Sequence, residues 1–186
     1  MFLEELELER HRRALAFTNW PEFDVVIFAV LLNYPWELMQ VPFYEGMASS
    51  AHWSAVKVCT WATLADGIIM LIAYWGAAIV ARDRWWFFKP RPMPLIVLLA
   101  IGVAITVLLE RLATVSANPD WGWRYAETMP IVPGLKIGLT PFLQWILLPL
   151  LMVWFVKRQL VAARRRVTKK DGSALCAKER APQVAT

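Results

Sequence analysis

Four apolar stretches, residues 23–44, 58–80, 95–115 and 141–156, carry nearly all the hydrophobic weight of this chain. Each is close to the length a helix needs to cross a hydrocarbon core of ~30 Å. With 58% hydrophobic residues and 13% aromatics in 186 residues, the chain is too apolar for an ordinary soluble surface to hide them. The expected fold is an all-α integral membrane protein, a bundle of four transmembrane helices spanning residues 22–157. A cytoplasmic segment, 1–21, precedes it and a basic tail, 158–186, follows it.

The placement of Lys and Arg predicts the orientation, because basic residues near a span stay on the cytoplasmic side. Sixteen of the 20 lie before span one, between spans two and three, or after span four. The other four are Lys57, Arg111, Arg124 and Lys136. Both termini are therefore expected in the cytoplasm, in a multi-pass protein of a bacterial inner (cytoplasmic) membrane. The basic pI reflects this topology and contact with anionic headgroups at Arg82, Arg84, Lys89, Arg91 and the tail, and implies no nucleic-acid partner. Residues 1–17 mix four Glu with Arg10, Arg12 and Arg13 and lack the apolar core of a signal peptide. They read as an amphipathic surface helix or a solvated extension. The tail is expected to be disordered beyond Arg166.

Thr18-Asn19-Trp20-Pro21-Glu22 announces the first helix, with a capping residue, a proline and an acid in the first turn. Helix two is expected to start near Ser49 or Ser50. The loop Trp85-Trp86-Phe87-Phe88-Lys89-Pro90-Arg91-Pro92 alternates aromatic bulk with cations, which reads as an anchor among lipid headgroups. The segment 116–140 carries Trp121, Trp123 and Tyr125 at period two with turn signals at Asn118-Pro119 and Pro133-Gly134. It is expected to be an ordered outer loop, either a lid or hairpin over the bundle or an aromatic belt on the lipid surface.

An ionisable side chain at bilayer depth costs several kcal/mol unless it is paired, so each one calls for a partner. Asn33, Glu37 and Gln40 fall at i, i+4 and i+7, on one face of helix one, and Tyr44 extends that stripe. His52, Cys59, Thr63 and Asp66 form a second stripe on helix two. Glu110, Arg111 and Gln144 stand near the same depth in spans three and four. The expectation is a polar pocket in the outer half of the bundle above an apolar plug, with the loop bearing Trp123 over it. Glu37, Asp66 and Glu110 are its candidate proton-holding or catalytic groups and His52 a candidate relay. Asn33, Gln40, Tyr44, Cys59, Thr63, Arg111, Trp123 and Gln144 are candidate binding residues. Ordinary interhelical hydrogen bonds, or an ion pair of Glu110 or Glu37 with Arg111, would draw on the same residues merely to hold the bundle together.

Carboxyl groups in a low-dielectric site can serve as general acids and bases, and a molecule arriving sideways from the leaflet would be a lipid, isoprenoid, quinone or sterol-like compound. The stretch Glu37-Leu38-Met39-Gln40-Val41-Pro42-Phe43 is similar, over seven residues, to a segment of the four-span sterol-isomerase family. That likeness implies a pocket acid at Glu37. Neither a carboxylate–histidine metal motif nor a phosphate loop, nucleophile elbow or dinucleotide fingerprint occurs, so no metal or cofactor is expected. Two cysteines at unrelated positions supply no redox or zinc motif. Three classes remain: acid/base chemistry on a lipophilic substrate, a non-catalytic subunit or assembly factor (as homo-oligomer or in a larger membrane complex), and a proton-linked carrier.

Overall fold

The computed structural model describes residues 20–88, 91–116 and 122–179. The segment 1–17, Lys89 and Trp121 lie outside them. Among the described residues four α-helices form: α1 (Pro21–Gln40), α2 (His52–Ala81), α3 (Pro92–Val115) and α4 (Leu139–Glu179). Four helical segments, Pro21–Phe43, His52–Ala81, Pro92–Val115 and Leu139–Ala162, are long and apolar enough to cross a membrane. Among the described residues there is no strand, only two isolated bridges.

The helix boundaries follow local chemistry. Proline opens α1 and α3 at the first helical position, where its missing N–H costs nothing. Pro42 ends α1 by turning Val41–Phe43 into a short 3₁₀ turn, so Tyr44 leaves the helix in an extended conformation. Helix α2 starts at His52, slightly later than Ser49 or Ser50, and stops at Arg82 (φ 53°), whose N–H bonds the carbonyls of Ala78 and Ile79. Helix α4 continues past Lys157 to Glu179, where a disordered tail is expected from the charge pattern. The stretch 158–171 offers Gln, Leu, Ala, Arg and Lys with neither Gly nor Pro to interrupt the turn.

The helices stand in a ring. α1 packs against α2 and α4, and α3 packs against the same two. The half of the bundle toward Arg84 is filled by apolar side chains, among them Val25, Ala29, Met70, Ala73, Ala77, Leu98, Met152 and Val156. Trp86 and Phe87, expected among headgroups, instead turn under this core as a 3₁₀ turn and are buried. Their rings abut one another and Phe87 reaches Tyr74, whose hydroxyl donates to the Arg84 carbonyl. Burying two such rings outweighs an interfacial seat because it closes the open end of the core. Glu22 clamps the same corner through an ion pair with Arg84 at 2.6 Å.

The opposite end is closed by chain crossings. Tyr44 and Tyr125 form an antiparallel bridge, flanked by Glu45 N–H to the Arg124 carbonyl (2.9 Å) and Ala126 N–H to the Phe43 carbonyl (2.9 Å). Residues 131–138 then fold into a small hairpin in which Val132 N–H donates to Ile137 (2.9 Å) and Gly134 supplies a φ of +83°. The α1–α2 link and the α3–α4 link are thereby stitched together across the bundle.

Candidate functional site

Between the stitched end and the apolar plug lies a cavity of about 210 Å³. Its polar wall is built by helices α1, α2 and α4 from positions one helical face apart. Gln144, 2% exposed, sits at the centre. Its Nε2 lies 2.8 Å from Asn33 Oδ1, 3.0 Å from Glu37 Oε1 and 2.8 Å from Asp66 Oδ2. Glu37 Oε1 also accepts from Gln40 Nε2 at 2.8 Å, one turn along the same helix. Asn33 anchors the base of the group by donating to the Ala29 carbonyl at 2.8 Å. The carboxyls of Glu37 and Asp66, from two different helices, thus converge on one amide nitrogen, at 3.0 and 2.8 Å. Cys59 joins α2 to α1, its thiol donating to the Glu37 carbonyl at 3.7 Å.

Helix α3 supplies the third acid in a different setting. Glu110 Oε2 accepts from Trp123 Nε1 at 3.2 Å and from the Tyr125 hydroxyl, and Oε1 faces the Tyr44 hydroxyl at 3.4 Å. These three aromatic donors belong to the two stitched links, so Glu110 fastens the closed end to α3. Burial, followed by the adjoining Glu110 carboxylate, pushes the Tyr44 and Tyr125 hydroxyls above their usual range, which keeps both as donors.

The floor is the Trp145 indole, set beside Gln144 on α4 and held by Gly102 of α3. A Cβ at Gly102 would fall 2.3 Å from Trp145 Cε3, so glycine is the residue that lets the ring lie against the helix. The mouth is lateral. Val58 (52% exposed) and Leu109 (42% exposed) line the cavity and face the outside of the bundle, and so does Ala65. Together they place an opening between α2 and α3, where Ala62 and Ala65 leave space that longer side chains would fill. Comparison with family models, curated proteins and solved structures finds no match. The site therefore rests on its own geometry.

Several residues expected at the site stand elsewhere. His52 is exposed in the first turn of α2 beside Trp53, and fourteen residues of rise put it ~21 Å along the helix from Asp66. Arg111 is exposed, since successive helical residues point ~100° apart and Glu110 takes the inward direction. The Glu110 carboxyl takes its donors from Tyr44, Trp123 and Tyr125 instead of from the Arg111 guanidinium. Thr63 is buried but not part of the cavity wall. Gln40, Tyr44, Cys59, Trp123 and Gln144 line it, and Asn33 joins through Gln144. Thr106 and Trp145, neither among the expected site residues, also form the wall. Thr106 sits one turn before Glu110 on the same face, a spacing that could have found it. Among the described residues no three His, Cys, Asp or Glu side chains gather as a metal site would need.

Proposed function

We propose that this is a multi-pass membrane protein that admits a lipophilic molecule sideways from the bilayer and performs acid/base chemistry on it at the Glu37–Asp66 pair. The observation that carries the reading is two carboxyls, Glu37 and Asp66, gathered on one buried amide at the wall of a cavity whose mouth faces the side of the bundle. A pair that shares one proton is suited to deliver it to one atom of a substrate while the partner carboxylate takes one up, so the pair ends as it began. Gln144 and Gln40 hold both groups in place without adding charge. In the orientation that the basic residues predict, both termini are cytoplasmic and the cavity opens to the outer leaflet.

A carrier would need a polar path through the other half of the bundle as well, and that half is packed with apolar side chains. The test is lipid and quinone profiling of a deletion strain complemented with the wild-type gene or with Glu37→Gln. The proposal expects a lipophilic compound to accumulate in the deletion strain and in the Glu37→Gln strain, with the variant still inserted and folded. Full complementation by Glu37→Gln would overturn it.

A further inference from the structure

Resting on the reading of the cavity as a ligand pocket, we infer that its ligand presents a hydrogen-bond donor, a hydroxyl or an ammonium group, to Glu37 and Asp66. An anionic head, or an acceptor-only head such as a quinone carbonyl, would leave these carboxyl oxygens unmet. Hydrogens run short at this end of the cavity. The amide of Gln144 carries two, yet three oxygens lie within 3.0 Å of its nitrogen. Gln40 spends one hydrogen on Glu37 Oε1, which Gln144 already faces. Among the described residues, Glu37 Oε2 and Asp66 Oδ1 receive no hydrogen bond from an amide, hydroxyl or indole. Even with one proton between the two carboxyls, this end of the cavity has more lone pairs than hydrogens.

The charge and the remaining wall point the same way. Among the described residues, the charged side chains that line the cavity are Glu37, Asp66 and Glu110, all acidic, and its lining includes no Lys, Arg or His. The Tyr44 and Trp123 donors are already turned onto Glu110. A carboxylate or phosphate head would meet like charge, and a quinone oxygen would meet carboxyl oxygen, whereas an O–H or N–H fills the vacant acceptor sites. A second, independent sign of a polar head, of either hydrogen-bonding sense, is Thr106, which lines the cavity and is only 7% exposed. Thr60 and Thr114 bond back to carbonyls of their own helices, but the Thr106 hydroxyl has no partner among the described residues. Gln40 Oε1, on another wall residue, also lacks one. Two orphaned polar atoms beside a cavity are what a site leaves for a polar head to complete. The volume exceeds the ~150 Å³ that accepts benzene, so the head sits on a ring-sized body and any longer tail leaves between α2 and α3.

The experiment uses the full chain in lipid nanodiscs and four probes on one butyl-substituted six-membered ring: 4-butylbenzyl alcohol, 4-butylbenzylamine, 4-butylbenzoate and 2-butyl-1,4-benzoquinone, the quinone also on the Cys59→Ser/Cys176→Ser chain because quinones add to thiols. Calorimetric titration is read against empty nanodiscs. The alcohol, the amine or both should bind on the order of tenfold or more tightly than the benzoate and the quinone, and the preferred one tells hydroxyl from ammonium. Asp66→Asn should remove that preference, and Thr106→Val should weaken the preferred probe while Thr106→Ser restores it. If all four probes bind equally, or the quinone or benzoate binds best, the donor-head inference falls while the pocket reading stands. If none binds to the wild-type chain above the empty-disc background, the pocket reading falls and takes the inference with it.

Discussion

Gln144 is the residue on which the polar group turns, because one amide serves oxygens from three helices. Replacing it with leucine keeps the volume and strands Asn33 Oδ1 and Asp66 Oδ2 without their donor, while Glu37 Oε1 keeps that of Gln40. Unsatisfied buried acceptors cost ~1–3 kcal/mol each, so Gln144→Leu is expected to lower stability by about 2–4 kcal/mol in chemical denaturation. Gln144→Glu should cost at least as much, since it adds a third carboxyl. Asp66→Asn, which preserves shape and can donate to Glu37, should leave the melting temperature within a few degrees and remove turnover of the lipophilic compound. The stripes that made Glu37, Asp66 and Gln144 candidates are visible in the sequence because apolar surroundings make every polar residue conspicuous and helical period sorts them by face. Thr106 hides for the opposite reason, since a threonine in an apolar helix ordinarily bonds back to its own backbone.

At the scale of elements, what the sequence conceals is which way irregular segments turn. Trp86 and Phe87 satisfy the pattern of an interfacial anchor, and only the open end of the core, a long-range fact, draws them inward. The tie of Glu110 to Tyr125 and Tyr44 spans 15 and 66 residues, beyond any periodicity argument, so arginine next door looks like the natural partner. The clasp has a pH consequence. The Tyr44 and Tyr125 hydroxyls are pushed up on folding, and unfolded tyrosine ionises near pH ~10. Their contribution to stability is fully present below that pH and declines as pH rises through and beyond it. Thermal unfolding of wild type and a Tyr44→Phe/Tyr125→Phe double variant should therefore converge in strongly alkaline buffer and differ at neutral pH. The α3–α4 contact is tested separately by Gly102→Val. Overpacking against Trp145 is expected to cost about 1–3 kcal/mol and to abolish probe binding by tilting the floor.

For the whole molecule, the four helices were legible from length and apolarity alone, and their ring order was not, because it depends on which faces meet. The orientation is open to direct measurement. After Cys59 and Cys176 are changed to serine, single cysteines at Ser49 and Arg82 should react with an impermeant maleimide from opposite sides, Ser49 from outside intact cells. Labelling of Arg82→Cys alone from outside would invert the arrangement. The lateral mouth can be closed by Ala65→Trp, which is expected to block probe binding with little change in unfolding temperature. The cavity is stitched over at one end, plugged at the other and open at the side, so the proposed ligand would exchange with the leaflet and not with water. The relevant concentration is then the ligand's mole fraction among lipids. The total ligand needed for half-saturation should rise in proportion to the amount of lipid and stay fixed when the aqueous volume alone is changed, so the amount of membrane would set how much of the protein is occupied.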